Sequence, residues 1–263
     1  MKKHLLLKAL LAATFITSSA SAKSPFPLSK DTIVIKQHPH VRKFFIGTAL
    51  DAGIFSSASI EHTYYNILGE PIGTKNSMGT LRFTYVINFG VTFNYNPSRF
   101  FGLYTGLDLK NVGYIEKNDF TGQRTYKRRT YNLGIPVGIK IGNMADRKSY
   151  GFLGAGIDAP FNYREKTFTV RNQKTKYNEW FSDATPNLMP YVFAGVAIRR
   201  GISIKAQYYL NNYLNPDYVR NGYKPNEGTT VHLMLLSLGF TSPFGKNPDM
   251  IKKRVTDLNT SSM

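Results

Sequence analysis

The stretch Arg82-Phe83-Thr84-Tyr85-Val86-Ile87-Asn88-Phe89-Gly90-Val91-Thr92-Phe93-Asn94-Tyr95 decides the fold class. From Phe83 onward every second residue is apolar, and the intervening positions are Thr84, Val86, Asn88, Gly90, Thr92 and Asn94. Side chains of a strand point alternately to its two faces, so a period of two marks a strand with one apolar and one mostly polar face. The pattern recurs, and strands are expected at about 43–55, 80–95, 100–114, 128–142, 149–163, 189–199, 202–213 and 230–242. Polar connections at 56–79, 115–127, 164–188 and 214–229 are long. Between them stand short ones: Asn96-Pro97-Ser98-Arg99, 143–148 and Arg200-Gly201.

The second face of these segments is rich in small and polar residues. Examples are Gly102, Gly106 and Asp108 in the third strand, and Thr130, Asn132, Gly134, Gly138 and Lys140 in the fourth. A soluble sandwich or lipocalin would need large apolar side chains there. An even strand count with alternating long and short connections matches a bacterial outer-membrane barrel, whose closed ladders leave no backbone group unsatisfied in lipid. The expected fold is all-β: an eight-stranded antiparallel up-and-down transmembrane β-barrel with long external loops and short periplasmic turns. The apolar face is expected to carry Phe44, Ile46, Leu50, Ala52 and Ile54 in the first strand, and Leu153, Ala155, Ile157, Phe161 and Tyr163 in the fifth. Pro136 lacks a ladder donor and is expected to mark a bulge or bend. The last strand is apolar on both faces, which leaves its inward side open.

The ends and the composition agree with an envelope location. Residues 1–22 read as a signal peptide: Lys2 and Lys3, an apolar stretch from Leu5 to Ile16, then Ala20-Ser21-Ala22. Residues 23–42 are expected to form a periplasmic extension, 43–242 the barrel, and 243–263 a polar periplasmic tail. The chain has no Cys, so disulfides, thiolate chemistry and Cys-ligated metal are excluded. No stretch after residue 22 has 18 consecutive apolar residues, the length a transmembrane helix requires. The net charge is +18. For an exported chain that charge points to an anionic surface, such as the lipid phosphates of lipopolysaccharide or an acidic polysaccharide, rather than to nucleic acid.

Leu81-Arg82-Phe83, the run Phe101 to Leu107 and the run Leu133 to Lys140 resemble the small outer-membrane β-barrel family of porin-like, PorT-type envelope proteins. The resemblance covers about 43–242. It implies an eight-stranded barrel in a bacterial outer membrane, for some relatives a link to protein secretion, and no catalytic residues to carry over.

Candidate residues fall into two groups. The inward set Asp51, Arg82, Asp108, Lys110, Lys140, Asp158, Arg199 and Lys205 is expected to fill the lumen as paired charges, since charge leaving water must be paired. A narrow solute path is the alternative use of the same residues. Arg124, Lys127, Arg128, Arg129, Lys166, Arg171, Lys174 and Lys176 cluster near strand ends, where they are expected to meet lipid phosphates or solvent. Tyr85, Tyr95, Phe100, Tyr114, Tyr131, Tyr163, Tyr208 and Tyr213 are expected to form interfacial girdles. His38 and His40 flank Pro39 and lack further ligands. Ser237 and His232 sit on opposite strand faces by parity and make no dyad. No catalytic residue, metal site or cofactor is therefore expected. The expected function is non-enzymatic: structural, envelope-assembly or secretion, with envelope or secretion-system proteins as partners. A small-solute pore and a surface adhesin or receptor are the alternatives.

Overall fold

A computed structural model describes residues 41–84, 88–118, 124–144, 149–169, 173–198 and 201–243. The expected signal peptide, nearly all of the extension and of the tail, and His38 and His40 lie outside these residues. Among the described residues there are eleven strands: β1 Phe44–Tyr65, β2 Pro71–Met78, β3 Arg82–Thr84, β4 Asn88–Tyr95, β5 Phe101–Asn118, β6 Arg124–Gly142, β7 Tyr150–Phe168, β8 Lys174–Trp180, β9 Met189–Ile198, β10 Ile202–Tyr209 and β11 Thr229–Pro243. Pairing is antiparallel and runs β11-β10-β9-β7-β6-β5-β4-β1, and β11 pairs back onto β1. Eight strands thus close a ring with up-and-down connections. Strands β2 and β3 pair with β1, and β8 pairs with β7.

Closure is uneven at β1, which meets β4 over Phe44–Asp51, β3 over Ile54–Ser56 and β2 over Ser59–Tyr65. The described parts of the expected strand at 80–95 include β3 and β4. The expected connection at 56–79 is mostly β-structure, because β1 runs on to Tyr65 and returns as β2. Asn66 closes that hairpin, its Oδ1 accepting from the Leu68 and Glu70 amides at 2.9 and 2.8 Å. The same extension shortens the loops expected at 115–127 and 164–188. Within the connection expected at 164–188, Lys174–Trp180 is β8, laddered to β7 from Asn162↔Trp180 to Phe168↔Lys174.

The opening alternation sorts the faces of β4. Phe89 is 50% exposed and Asn88 5%; Phe93 and Tyr95 follow Phe89 outward, while Thr92 and Asn94 are buried inward. Outward Leu107, Leu133, Val137, Ile157, Val196 and Leu236 extend the apolar belt around the ring. So large an apolar surface around a polar interior suits lipid rather than water.

Two register shifts reverse the expected alternation. Between Asp51 and Gly53, β1 slips by one residue against β11. One residue of slip exchanges the faces, so Ile54, expected outside, is buried in the lumen. On β7, Tyr131 pairs with Asn162 but Asn132 with Pro160, which leaves Phe161 as an extra residue and turns Tyr163 inward. Pro136 makes no bulge. The β5–β6 ladder passes from Thr105↔Val137 to Asp108↔Gly134 in one register and lapses only where the proline donor is missing. On β11 the inward residues are Val231, Leu233, Leu235 and Ser237. Val231, Leu233 and Leu235 join Ile54, Ala58, Ile60 and Val112 in an apolar core inside the barrel.

Candidate functional site

Charged groups enter the lumen in tiers, beginning at the end with the short turns. On β6, Lys140 Nζ donates to Asn94 Oδ1 at 3.0 Å and sits 5.2 Å from the Phe45 ring centroid. In the middle tier Lys205 Nζ pairs with Asp51 Oδ2 at 2.9 Å. Lys110 Nζ pairs with Asp158 Oδ1 at 2.9 Å and with Asp108 Oδ2 at 3.7 Å. The same ammonium lies 3.9 Å from the Tyr191 ring centroid, and Tyr209 donates its hydroxyl proton to Asp158 Oδ2. Arg82 donates to Asn111 Oδ1 at 3.1 Å. Arg199 lies outside the described residues. The remaining members of the expected inward set all face the lumen, with three carboxylates beside two lysines and Lys140 one tier away.

Four of these charges are seated against a glycine across the ladder. The register partners are Asp51↔Gly239, Asp108↔Gly90, Asp158↔Gly134 and Lys140↔Gly102. A Cβ on any of these glycines would run into the facing charged side chain. These four glycines make room for charge, and Gly138, Gly154, Gly156 and Gly195 make room for the rings of Tyr104, Phe193, Tyr191 and Phe152.

A further tier, absent from the expected set, lies toward the end with the longer connections. Arg128 Nε donates to Glu165 Oε2 at 3.0 Å, and Nη1 donates to Glu116 Oε2 at 3.2 Å and the Tyr114 hydroxyl at 2.8 Å. Glu116 Oε1 meets His62 Nε2 at 2.8 Å, and Tyr163 donates to Glu165 Oε2 at 2.9 Å. Burial by itself raises the pKa of the Glu165 carboxyl. Arg128, the Tyr163 hydrogen bond and Arg220 outweigh it and hold the group below its ordinary value. The signal for this tier was parity: Arg128 precedes inward Thr130 by two, and Glu116 follows inward Tyr114 by two. Arg128 was expected at the lipid phosphates. It is a buried structural cation instead, because β6 begins at Arg124 and carries the inward alternation past 130. Tyr114, Tyr163 and Tyr213, expected in the girdles, are likewise fully buried.

The connection 210–228 closes this end. Tyr213 donates its amide to the Val231 carbonyl at 2.8 Å and packs edge-on against Tyr114 at 5.6 Å. Tyr218 meets the Tyr177 hydroxyl at 2.8 Å, and Asn226 Nδ2 donates to the Ala184 and Asn215 carbonyls. Beneath the plug, a chamber of about 70 Å³ lies among Asp51, Tyr104, Asp108, Lys140, Tyr191 and Lys205. That is room for a few waters at most.

The other members of the second candidate group are outside the lumen. Lys127 and Arg129 on β6, Lys166 on β7, and Lys174 and Lys176 on β8 lie on the outward side. Arg124 is exposed at the start of β6, and Arg171 falls outside the described residues. Ser237 is buried and its Oγ donates to the Lys205 carbonyl at 3.5 Å, whereas His232 stacks on outward Tyr208. The two therefore do not meet.

Residues 40–220 match the model of the outer membrane protein beta-barrel domain. The chain belongs to this outer-membrane β-barrel family. The barrel is accordingly an integral outer-membrane protein. No curated protein sequence matches it. Among solved structures it is similar to Neisserial surface protein A (12% identity, TM-score 0.38, covering 78% of this chain and 99% of that one). It is similar also to OprG from Pseudomonas aeruginosa (13%, TM-score 0.36, 79% and 98%) and to Ail of Yersinia pestis in complex with the heparin analogue sucrose octasulfate (15%, TM-score 0.30, 75% and 99%).

Proposed function

We propose that this outer-membrane barrel is non-enzymatic, does not conduct, and acts by contact, in a structural or envelope-assembly role. The observation that carries the proposal is the filled lumen. Paired charges occupy the middle, an apolar core and the Arg128 tier occupy the loop end, and residues 210–228 close it. An eight-stranded barrel is only wide enough for its own side chains, and these are held by ion pairs rather than left as a wet lining. In the proposed orientation the short turns and both termini are periplasmic and the longer connections are external. Proteoliposome swelling tests the proposal: vesicles carrying the barrel should admit arabinose no faster than empty ones. Swelling at a porin-like rate would restore the solute-pore alternative.

The adhesin or receptor reading has one observation in its favour. The β1–β2 hairpin presents Ile67, Leu68 and Ile72 exposed at its tip. Replacing all three with Ser should abolish attachment of expressing cells to a host surface if that reading holds, and leave it unchanged if the barrel is purely structural. The secretion role implied by the PorT-type likeness rests on strand motifs alone. Co-purification of secretion-system proteins would support it.

A further inference from the structure

The outward face of β6, β7 and β8 above the apolar belt concentrates positive charge in a way sheet packing alone disfavours. Lys127 pairs in register with Lys166, and Lys166 with Lys176, so three ammonium-bearing residues stand side by side across three strands. Neighbouring strands are about 4.8 Å apart, and like charges directly opposite are destabilising. The next tier down pairs Arg129 with Arg164. Among the described residues, none of these five, nor Lys174, has a carboxylate within ion-pair distance. The nearby Glu116, Glu165 and Glu179 are engaged on the other face: Glu116 and Glu165 by Arg128, Glu179 by Tyr218. Burial, then the crowding of Arg129, Lys174, Lys176 and Arg164, pulls the Lys166 ammonium below its ordinary pKa.

The cations are organised on aromatic rings. Arg129 and Arg164 lie 5.8 and 5.6 Å from the Tyr131 centroid, and Lys127 and Lys174 lie 5.0 and 5.6 Å from that of Phe168. Directly below, Tyr131, Phe161 and Trp180 form an outward tier, Phe161 stacking on Trp180 at 6.0 Å. Aromatic residues of that kind mark the height of lipid headgroups. A cationic row immediately above them, on the lipid-facing side, stands where headgroup phosphates lie.

We propose that Lys127, Lys166 and Lys176, flanked by Arg129, Arg164 and Lys174, bind the phosphate groups of a phosphorylated glycolipid of the outer leaflet, with Trp180 and Phe161 against its acyl–sugar boundary. The proposal rests on the orientation given above, with this end external. The ligand relieves the repulsion along the row and accepts charge-assisted hydrogen bonds from the ammonium groups.

The test is native mass spectrometry of the detergent-solubilised barrel titrated with bis-phosphorylated lipid A. Detergent has no sidedness, so the result does not depend on orientation, which protease accessibility on intact cells reports separately. The wild type should retain lipid A. The triple variant Lys127→Gln/Lys166→Gln/Lys176→Gln should bind roughly a hundredfold more weakly, each basic group near an anionic surface being worth about fivefold. The control Lys75→Gln/Lys224→Gln, with charges removed elsewhere, should bind as wild type, and heat-modifiable gel mobility confirms that all three are folded. Three results would overturn the proposal: equal retention of fully dephosphorylated lipid A, equal loss in the control, or retention of a soluble heparin oligosaccharide without lipid A.

Discussion

Asp158 is the carboxylate on which the middle of the lumen converges, and Asp158→Ala is the perturbation whose cost follows most directly from the geometry. The substitution strips Lys110 of its 2.9 Å partner while leaving Asp108 at 3.7 Å and the Tyr191 ring at 3.9 Å. It also removes the acceptor of the Tyr209 hydroxyl and of Asn132 Nδ2. Both ion-pair side chains are almost wholly buried, at 4% and 0% exposure, so solvent screening gives little relief. Breaking a buried pair costs about 3–5 kcal/mol. The residual contacts of Lys110 argue for the lower end, and the orphaned hydroxyl adds about 1 kcal/mol, for a total near 4 kcal/mol. Removing the stranded cation as well, in Lys110→Met/Asp158→Ala, should recover about 2 kcal/mol of that loss. The assay is equilibrium urea unfolding from phospholipid vesicles, followed by the fluorescence of Trp180, the sole tryptophan. A cost below about 1 kcal/mol together with no coupling in the double-mutant cycle would refute the claim that paired charge holds the lumen.

Further outcomes can be checked in the same system. Gly134→Ala should cost about 1–3 kcal/mol in the same unfolding assay, because its Cβ meets the Asp158 carboxylate and overpacks a filled interior. Glu165, held below its ordinary pKa, contributes stability that is fully present above about 4.5 and lost as pH falls through its folded value. The hydrogen-exchange protection of the Tyr213 amide, taken against its intrinsic exchange rate at each pH, should therefore fall in acid. In Arg128→Met, Glu165 loses the largest contribution that holds its pKa down, burial then gains weight, and protection should instead increase as the pH is lowered from 7. Trp180 should be quenched most by lipids labelled near the headgroup and least by labels at the chain ends; the reverse order would remove it from the interfacial tier.

The strand pattern was legible because lipid on one side and a packed lumen on the other enforce alternation over many residues, as at Phe89 to Tyr95. The inward lysines and aspartates could be read for the same reason. What escaped the sequence was local. A single extra residue at Asp51–Gly53, and another at Phe161, exchange inside for outside, and nothing in the composition of those segments announces the slip. Ile54 and Tyr163 were consequently placed on the wrong face. Above the membrane belt the outward face is polar, so hydrophobic alternation fades although the ladder continues. Residues 56–65 and 174–180 therefore read as loop, and Arg128 as a surface cation. The plug formed by residues 210–228 depends on contacts with Thr130, Tyr177 and Ala184, which are distant in sequence and leave no periodic trace.

Single-channel recording in planar bilayers tests the filled lumen most directly. The wild-type barrel should insert and give no steady current. Lys110→Gly/Asp158→Gly combined with deletion of residues 214–226 should serve as the opened control and conduct. A stable, ohmic wild-type current would contradict the account.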